Sequence, residues 1–343
     1  MTDTPANDGH RSFHALRLLR LIGVVLLVAL VWHVGPRRLG AIAADAHWGW
    51  LALGFLLNFP QIGLKALRWQ RLVSWQGIPF PYVRALLAYF GALLVGFLTP
   101  GRIGEMVKAF ALRHEAGVGL ARALSSVILD RVFDLYLLVV LGVIGFFRFA
   151  LVGESLPTGT LAVLLAVLPL PLVLLNAGTV RRVGSALAGL PLLTPRKTLL
   201  LEKVEDFAAG LTAMRPGRIV SGTLLTFLAY SIFFLQCYCC ARAIGFTLPF
   251  VDLTLMMAVT NLVGFLPFAP MANIGTREAM LTFFFTTVLD PALPASQAVA
   301  WGLSQFLVLF IGGGLIGFGC WQIAPIGLRR AVHEVRAIPR APR

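Results

Sequence analysis

The sequence predicts an all-α, polytopic transmembrane protein with about six full spans and two opposed re-entrant helix hairpins, arranged as an inverted repeat. Hydrophobic residues make up 58% of the chain and charged residues 13%, where soluble domains run near 45–50% and 25%. Apolar runs recur at bilayer length, and no stretch between them is polar or long enough to fold as a separate soluble domain. A pair of matching Pro/Gly interruptions carries the repeat.

The elements follow in order. Residues 1–17 read as a cytoplasmic tail. An apolar run at 18–34 could be a signal peptide with Ala41-Ile42-Ala43 as its cleavage site. Its length, and Arg37-Arg38 before the small residues, favour a retained first span. The run 48–64 opens with Trp48 and Trp50 and ends at Lys65, Arg68, Trp69 and Arg71, the pattern of an outside-to-inside helix. The run 83–98 breaks at Thr99-Pro100-Gly101 and resumes at 103–112, an arm too short to cross, so the pair reads as a hairpin returning to its own side. A long helix over 120–147 contains Asp130, Arg131 and Asp134, and 161–176 crosses back to the most basic loop. Within that loop 199–214 reads either as an amphipathic helix lying on the membrane surface or as a solvated connector. Spans follow at 219–241 and 299–321. Between them 253–268 and 279–289 flank a second break, at Pro267, Pro270, Asn273 and Gly275. The glycines of 312–314, 317 and 319 predict close helix packing in the last span.

These elements form one transmembrane domain, 18–325, whose halves (about 18–147 and 158–325) have opposite orientation, followed by a basic tail at 326–343. The basic loops then all fall inside, giving an inner-membrane protein with both termini cytoplasmic. The formal net charge of +14 sits in short inter-run segments, where the positive-inside rule and anionic headgroups account for it; nucleic acid is not an expected partner. The cysteines at 237, 239, 240 and 320 lie in apolar runs and read as small buried hydrophobes, and the six histidines are scattered. No metal and no cofactor is expected. Trp32, Trp301 and Trp321 read as interface anchors.

The candidate functional residues are those whose burial in lipid is expensive. Each ionisable side chain at mid-membrane costs about 2.5–3.5 kcal/mol, so Arg102, Glu105, Arg131, Asp134, Arg277 and Glu278 left alone would cost on the order of 15 kcal/mol. Arg131 and Asp134 stand at i,i+3, as do Arg102 and Glu105, and local ion pairs are one way to offset that cost. Helix N-termini at the two breaks would present N–H groups and a positive dipole end, suited with an adjacent Arg to a phosphate. The expected substrate-binding set is Pro100, Arg102, Gly104, Glu105, Asn273, Gly275, Arg277 and Glu278. The two arginines would hold phosphate and the two glutamates would carry a proton or meet a cation. Asp130, Arg131 and Asp134 are expected to brace or gate the cavity.

The run Leu98-Thr99-Pro100-Gly101-Arg102-Ile103-Gly104-Glu105, then Asp130-Arg131 and Asp134, then Leu266-Pro267 with Gly275-Thr276-Arg277-Glu278, resembles the lysylphosphatidylglycerol synthase transmembrane-region family. Arg68-Trp69 fits as well, and the resemblance covers about residues 15–325. It implies movement of a lipid or lipid-linked substrate between leaflets: a phospholipid or polyprenyl-phosphate flippase. In full-length relatives a cytoplasmic aminoacyl-transferring domain follows; none is found here, so lysyl transfer is not expected. Ala272-Asn273-Ile274 replaces most of a glycine-rich stretch usual in the family, and an Asn often found before the first Pro is missing; both changes bear on the headgroup. Two other readings are a membrane-embedded glycosyltransferase or lipid-modifying enzyme, with a buried carboxylate as base, and a non-catalytic partner in envelope lipid assembly.

Overall fold

A computed structural model of the chain describes residues 25, 27–97, 99, 104–150, 176–189, 197–263, 273–289 and 292–323. The expected first span is described only from its later part, where 27–34 are helical. The expected crossing at 161–175, Pro100, Arg102, Pro267, Pro270 and both tails lie outside the described residues.

Every regular element among the described residues is helical, as the composition predicts. After α1 (Pro36–Ala44), α2 (Trp48–Leu56) and α3 (Asn58–Trp75) run on through Leu57 as one 28-residue stretch. This corrects the expected end at residue 64. Lys65, Arg68 and Trp69 are not an inner-face flank but buried helix positions, because acidic partners on another helix meet them there. Then come α4 (Tyr82–Phe97) and, past the first break, α5 (Val107–Ala116). The 31-residue α6 spans Leu120–Ala150.

The side chain of Asn176 caps α7 (Ala177–Ala188) by accepting from the N–H groups of Gly178 and Thr179, at 2.8 and 3.3 Å. A forked Arg181–Glu205 contact, 2.7 and 2.6 Å, ties it to α8 (Lys197–Leu211), which also packs on α6. Ahead lie α9 (Pro216–Ala243) and α10 (Phe250–Val263). Past the second break α11 (Thr276–Phe283) continues as a π-helical turn, Phe284–Val288. The last run is α12 (Ala295–Gln305), a π-helical segment Phe306–Ile311 and α13 (Gly312–Ile323).

Three stretches among the described residues are long and apolar enough to cross a bilayer: Trp48–Trp75, Pro216–Ala243 and Ala295–Cys320. The helix before each break is not. At 16 and 14 residues, α4 and α10 reach roughly 24 and 21 Å, against an apolar core of about 30 Å. On α9, Val220, Leu224, Phe227 and Leu228 are at least half exposed while Ala229, Tyr230, Phe234 and Cys237 are buried. A helix apolar on both its outer and its inner face belongs in lipid.

Helix contacts follow an exchange pattern. The pre-break helix of the first half, α4, packs mainly on the closing helix of the second, α13, and α10 packs mainly on α6. Between these pairs α9 crosses α2 and α3. Two aromatic-rich cores result. One surrounds Trp301, which stacks on Phe285 at 5.9 Å and meets Phe246 edge-on at 5.4 Å; the other surrounds Trp69. Trp301 is therefore no interface anchor. It is fully buried and its indole N–H donates to the Cys237 carbonyl at 2.9 Å, because α9 offers a carbonyl inside the core. Trp32 is 80% exposed, as an anchor would be. The Trp321 side chain lies outside the described residues. Cys237, Cys239 and Cys240 are buried thiols, as expected.

The glycines of the last run do pack closely. A Cβ on Gly317 would stand 2.7 Å from the Phe90 carbonyl oxygen, a backbone atom with nowhere to go. Gly317→Val is expected to lower stability by about 1–3 kcal/mol through forced separation of α13 and α4, read as thermal unfolding of the detergent-solubilised protein.

Candidate functional site

Two helix faces build the principal polar feature. On α3, Lys65 and Arg68 stand one turn apart; on α6, Asp130 and Asp134 do the same. Facing one another, they interlock. Arg68 donates through Nε to Asp130 Oδ1 at 2.8 Å and through Nη2 to the Asp130 carbonyl at 3.0 Å. Its Nη1 reaches Asp134 Oδ1 at 2.7 Å and donates to Thr226 Oγ1 of α9 at 2.6 Å. Lys65 donates to the other Asp134 oxygen at 3.1 Å, and Lys108 of α5 to the other Asp130 oxygen at 2.7 Å. Aromatic faces complete the ammonium shells: Lys65 lies 4.4 Å from the Tyr230 ring centroid and Lys108 4.1 Å from that of Tyr89. Arg68, Lys108, Asp130 and Asp134 are all buried.

Glu105, at the start of the first post-break segment, pairs with Arg131 on α6. The local Arg131–Asp134 pair expected from i,i+3 spacing is not what carries these residues. They leave α6 toward different helices, Arg131 to Glu105 and Asp134 to Lys65 and Arg68. Tertiary partners prevail because each offers a geometry the helix surface cannot, including a guanidinium held from two sides. Glu105 is thus engaged by Arg131; the pairing with Arg102 lies outside the described residues. Together the network joins four cations, Lys65, Arg68, Lys108 and Arg131, to three carboxylates, Glu105, Asp130 and Asp134.

At the second break the backbone is shaped by Asn273, in the left-handed region at φ 57°, and Gly275, at φ 81°. Asn is the non-glycine residue best suited to that region, so Asn273 supplies locally the freedom a glycine would. Glu278 folds back so that its Oε2 accepts from the Gly275 N–H at 2.7 Å. Its Oε1 accepts from Arg277 Nη2 at 2.6 Å, and the same Nη2 donates to the Gly302 carbonyl at 2.9 Å. The expectation that both breaks present N–H groups to a ligand is corrected at these two positions. Gly275 N–H is held by Glu278, and Gly104 N–H is held by Thr99 Oγ1 at 2.7 Å. A buried helix start satisfies its donors internally when a suitable side chain is at hand.

Between network and break lies a cleft of about 760 Å³, counting its open mouth. Its walls come from both halves: Asn58, Gln61 and Lys65 of α3 on one side, Asn261 of α10 with Asn273, Arg277 and Gln305 on the other. Phe97 and Phe310 approach across it at 4.8 Å, with the Arg277 guanidinium 5.0 Å from the Phe310 ring. Of the expected binding residues, Asn273 and Arg277 line the cleft. Gly104, Glu105, Gly275 and Glu278 are not among its lining residues, and Asp130, Arg131 and Asp134 brace from behind. Sequence reasoning missed Lys65, Lys108, Asn58 and Gln305, and gave Arg68 no role. For the α3 pair a signal existed: two cations one turn apart on an otherwise apolar helix, matched by two aspartates one turn apart on another.

Residues 17–313 match the family described as the lysylphosphatidylglycerol synthase TM region. The chain belongs to this family. Similar proteins to this lysylphosphatidylglycerol synthase transmembrane-region member include a UPF0104 membrane protein of Methanothermobacter thermautotrophicus, 22% identical over 317 residues, covering 86% of this chain and 93% of the relative. A second match to a UPF0104 membrane protein of the same organism is 28% identical over 115 residues, about a third of either chain (33% and 34%). Like these relatives by name, this family member is a membrane protein.

Proposed function

We propose that the protein moves an anionic lipid or lipid-linked molecule across the membrane, its headgroup passing through the cleft while the apolar chains stay in lipid. One observation carries this reading. The charged side chains lining the cleft among the described residues are Lys65 and Arg277, one from each half, with no carboxylate beside them. Behind Lys65 the buried network holds one more cation than carboxylates. In a low-dielectric site an excess positive charge favours an anion. Family membership adds the link to lipid, through the family's name.

The exchange of contacts between pre-break and closing helices supports an organisation in two halves, 18–147 and 158–325, related by inverted topology. Broken helices at matching positions are a transporter feature. In this reading the chain lies in the inner membrane with both termini cytoplasmic, and Arg102 joins Arg277 at the headgroup. A lipid-modifying enzyme is the weaker reading, since Glu105, Asp130, Asp134 and Glu278 are each engaged by a cation and none stands ready as a base.

Leaflet exchange by the purified protein in liposomes tests the proposal, with fluorescent phospholipids and a polyprenyl-phosphate analogue. Anionic lipids are expected to exchange at least about tenfold faster than in empty liposomes, and Arg277→Met to remove most of that gain. Absence of acceleration for any lipid, with or without a proton gradient, would sink it.

A further inference from the structure

The polar groups between the two cations of the cleft are mostly side-chain amides, and their donors are already committed. Asn58 Nδ2 donates to the carbonyls of Phe55 and Val308, both at 3.0 Å. Asn261 Nδ2 donates to the Met257 carbonyl at 2.7 Å. Gln305 Nε2 points to the Met257 sulfur at 3.6 Å, and its Oε1 is buried with no hydrogen-bond partner. Gln305 is fully buried at the end of α12, where the π-helical segment begins. What these three amides can still offer a ligand is their carbonyl oxygens, which accept only. A buried acceptor left without a donor is costly, so the occupant should supply one.

A hydroxyl or an ammonium could do so, and charge decides between them. Lys65 and Arg277 line the same space with no carboxylate there, so an ammonium would meet two like charges in a poorly hydrated site. A hydroxyl carries no such penalty. We infer that the cleft selects a headgroup that is both anionic and hydroxyl-bearing, a phosphate ester of a polyol such as glycerol or a sugar, with Gln305 accepting from a hydroxyl. The inference rests on the transport reading in taking the cleft as the headgroup site, and it specifies the headgroup's chemistry.

Binding, measured apart from transport, tests it. Short-chain phosphatidylglycerol and short-chain phosphatidylmethanol carry the same phosphodiester charge and differ in the hydroxyls; short-chain phosphatidylethanolamine brings the ammonium. Calorimetric titration of the full chain in detergent should give phosphatidylglycerol roughly five- to tenfold tighter than phosphatidylmethanol, with phosphatidylethanolamine weakest. Glycerol 3-phosphate alone reports whether the acyl chains are needed, and a short-chain phosphatidylinositol whether a ring polyol serves as well as glycerol. Gln305→Met, close in shape, should bring phosphatidylglycerol and phosphatidylmethanol to equal affinity without changing phosphatidylmethanol binding. Equal affinities in the wild-type chain, tightest binding of phosphatidylethanolamine, no binding of any of these lipids, or a preference that survives Gln305→Met would each overturn the inference. A hydroxyl preference without leaflet exchange would keep the site and remove transport; exchange without the preference would do the reverse.

Discussion

Arg68→Met is expected to destabilise the protein by about 3–5 kcal/mol, the usual cost of removing one partner from a buried ion pair. Arg68 is fully buried and serves Asp130, Asp134 and Thr226 at once. Methionine fills the space but leaves two carboxylates facing one another with only Lys65 and Lys108 to compensate. Desolvated charges of one sign at that separation repel strongly. The double variant Arg68→Met with Asp134→Leu should recover part of the loss, because it removes one of the stranded charges, and the two changes should be far from additive. Thermal or denaturant unfolding in detergent measures both. An Arg68→Met protein within about 1 kcal/mol of wild type would mean that water or rearrangement reaches this network, against the full enclosure of the guanidinium.

Lys65→Met should behave in the opposite manner, keeping the fold and losing transport. Asp134 retains Arg68 at 2.7 Å when Lys65 is removed, so no carboxylate is stranded. The Lys65 side chain is 11% exposed and borders the cleft, whereas that of Arg68 is wholly enclosed. The expected result is a loss of leaflet exchange of roughly tenfold or more, the factor that about 1.4 kcal/mol of lost anion stabilisation represents, with unfolding close to wild type. Lys65→Arg, which keeps the charge, should retain part of the activity. Exchange at the wild-type rate in Lys65→Met would detach the network from the substrate path. A Lys65→Met protein that fails to fold would show that Lys65 is a structural member of the network.

The membrane class, the helical architecture and the position of both breaks were legible in the sequence, because apolar length and Pro/Gly chemistry act locally. The partners of the charges were not. Spacing along α6 suggests that Arg131 serves Asp134, yet helix periodicity says only which residues share a face, not which helix lies opposite. Lys65, Arg68 and Trp69 look like the basic, aromatic end of a span when α3 is taken alone; α6 opposite turns them inward. Trp301 is the same case, since α9 supplies a carbonyl for its N–H deep in the core. Glu278 was legible as costly, but not as the group that closes its own helix start at Gly275.

The π-helical segment in the closing run has a consequence for how this chain can change in length. Such a segment amounts to one residue more than an α-helix would hold, so it sets the rotational phase between α12 and α13. On the α12 side, Trp301 and Gln305 face core and cleft; on the α13 side, Gly317 faces the Phe90 carbonyl. Deleting a single residue within Phe306–Ile311 would let the helix run on without a fault, yet swing α13 by about 100° relative to α12. Phe318 would then take the place of Gly317 against that carbonyl, and a phenylalanine cannot approach as a glycine does. Local regularity would improve and the bundle would no longer close, so insertions and deletions in this span should be tolerated only in compensating pairs.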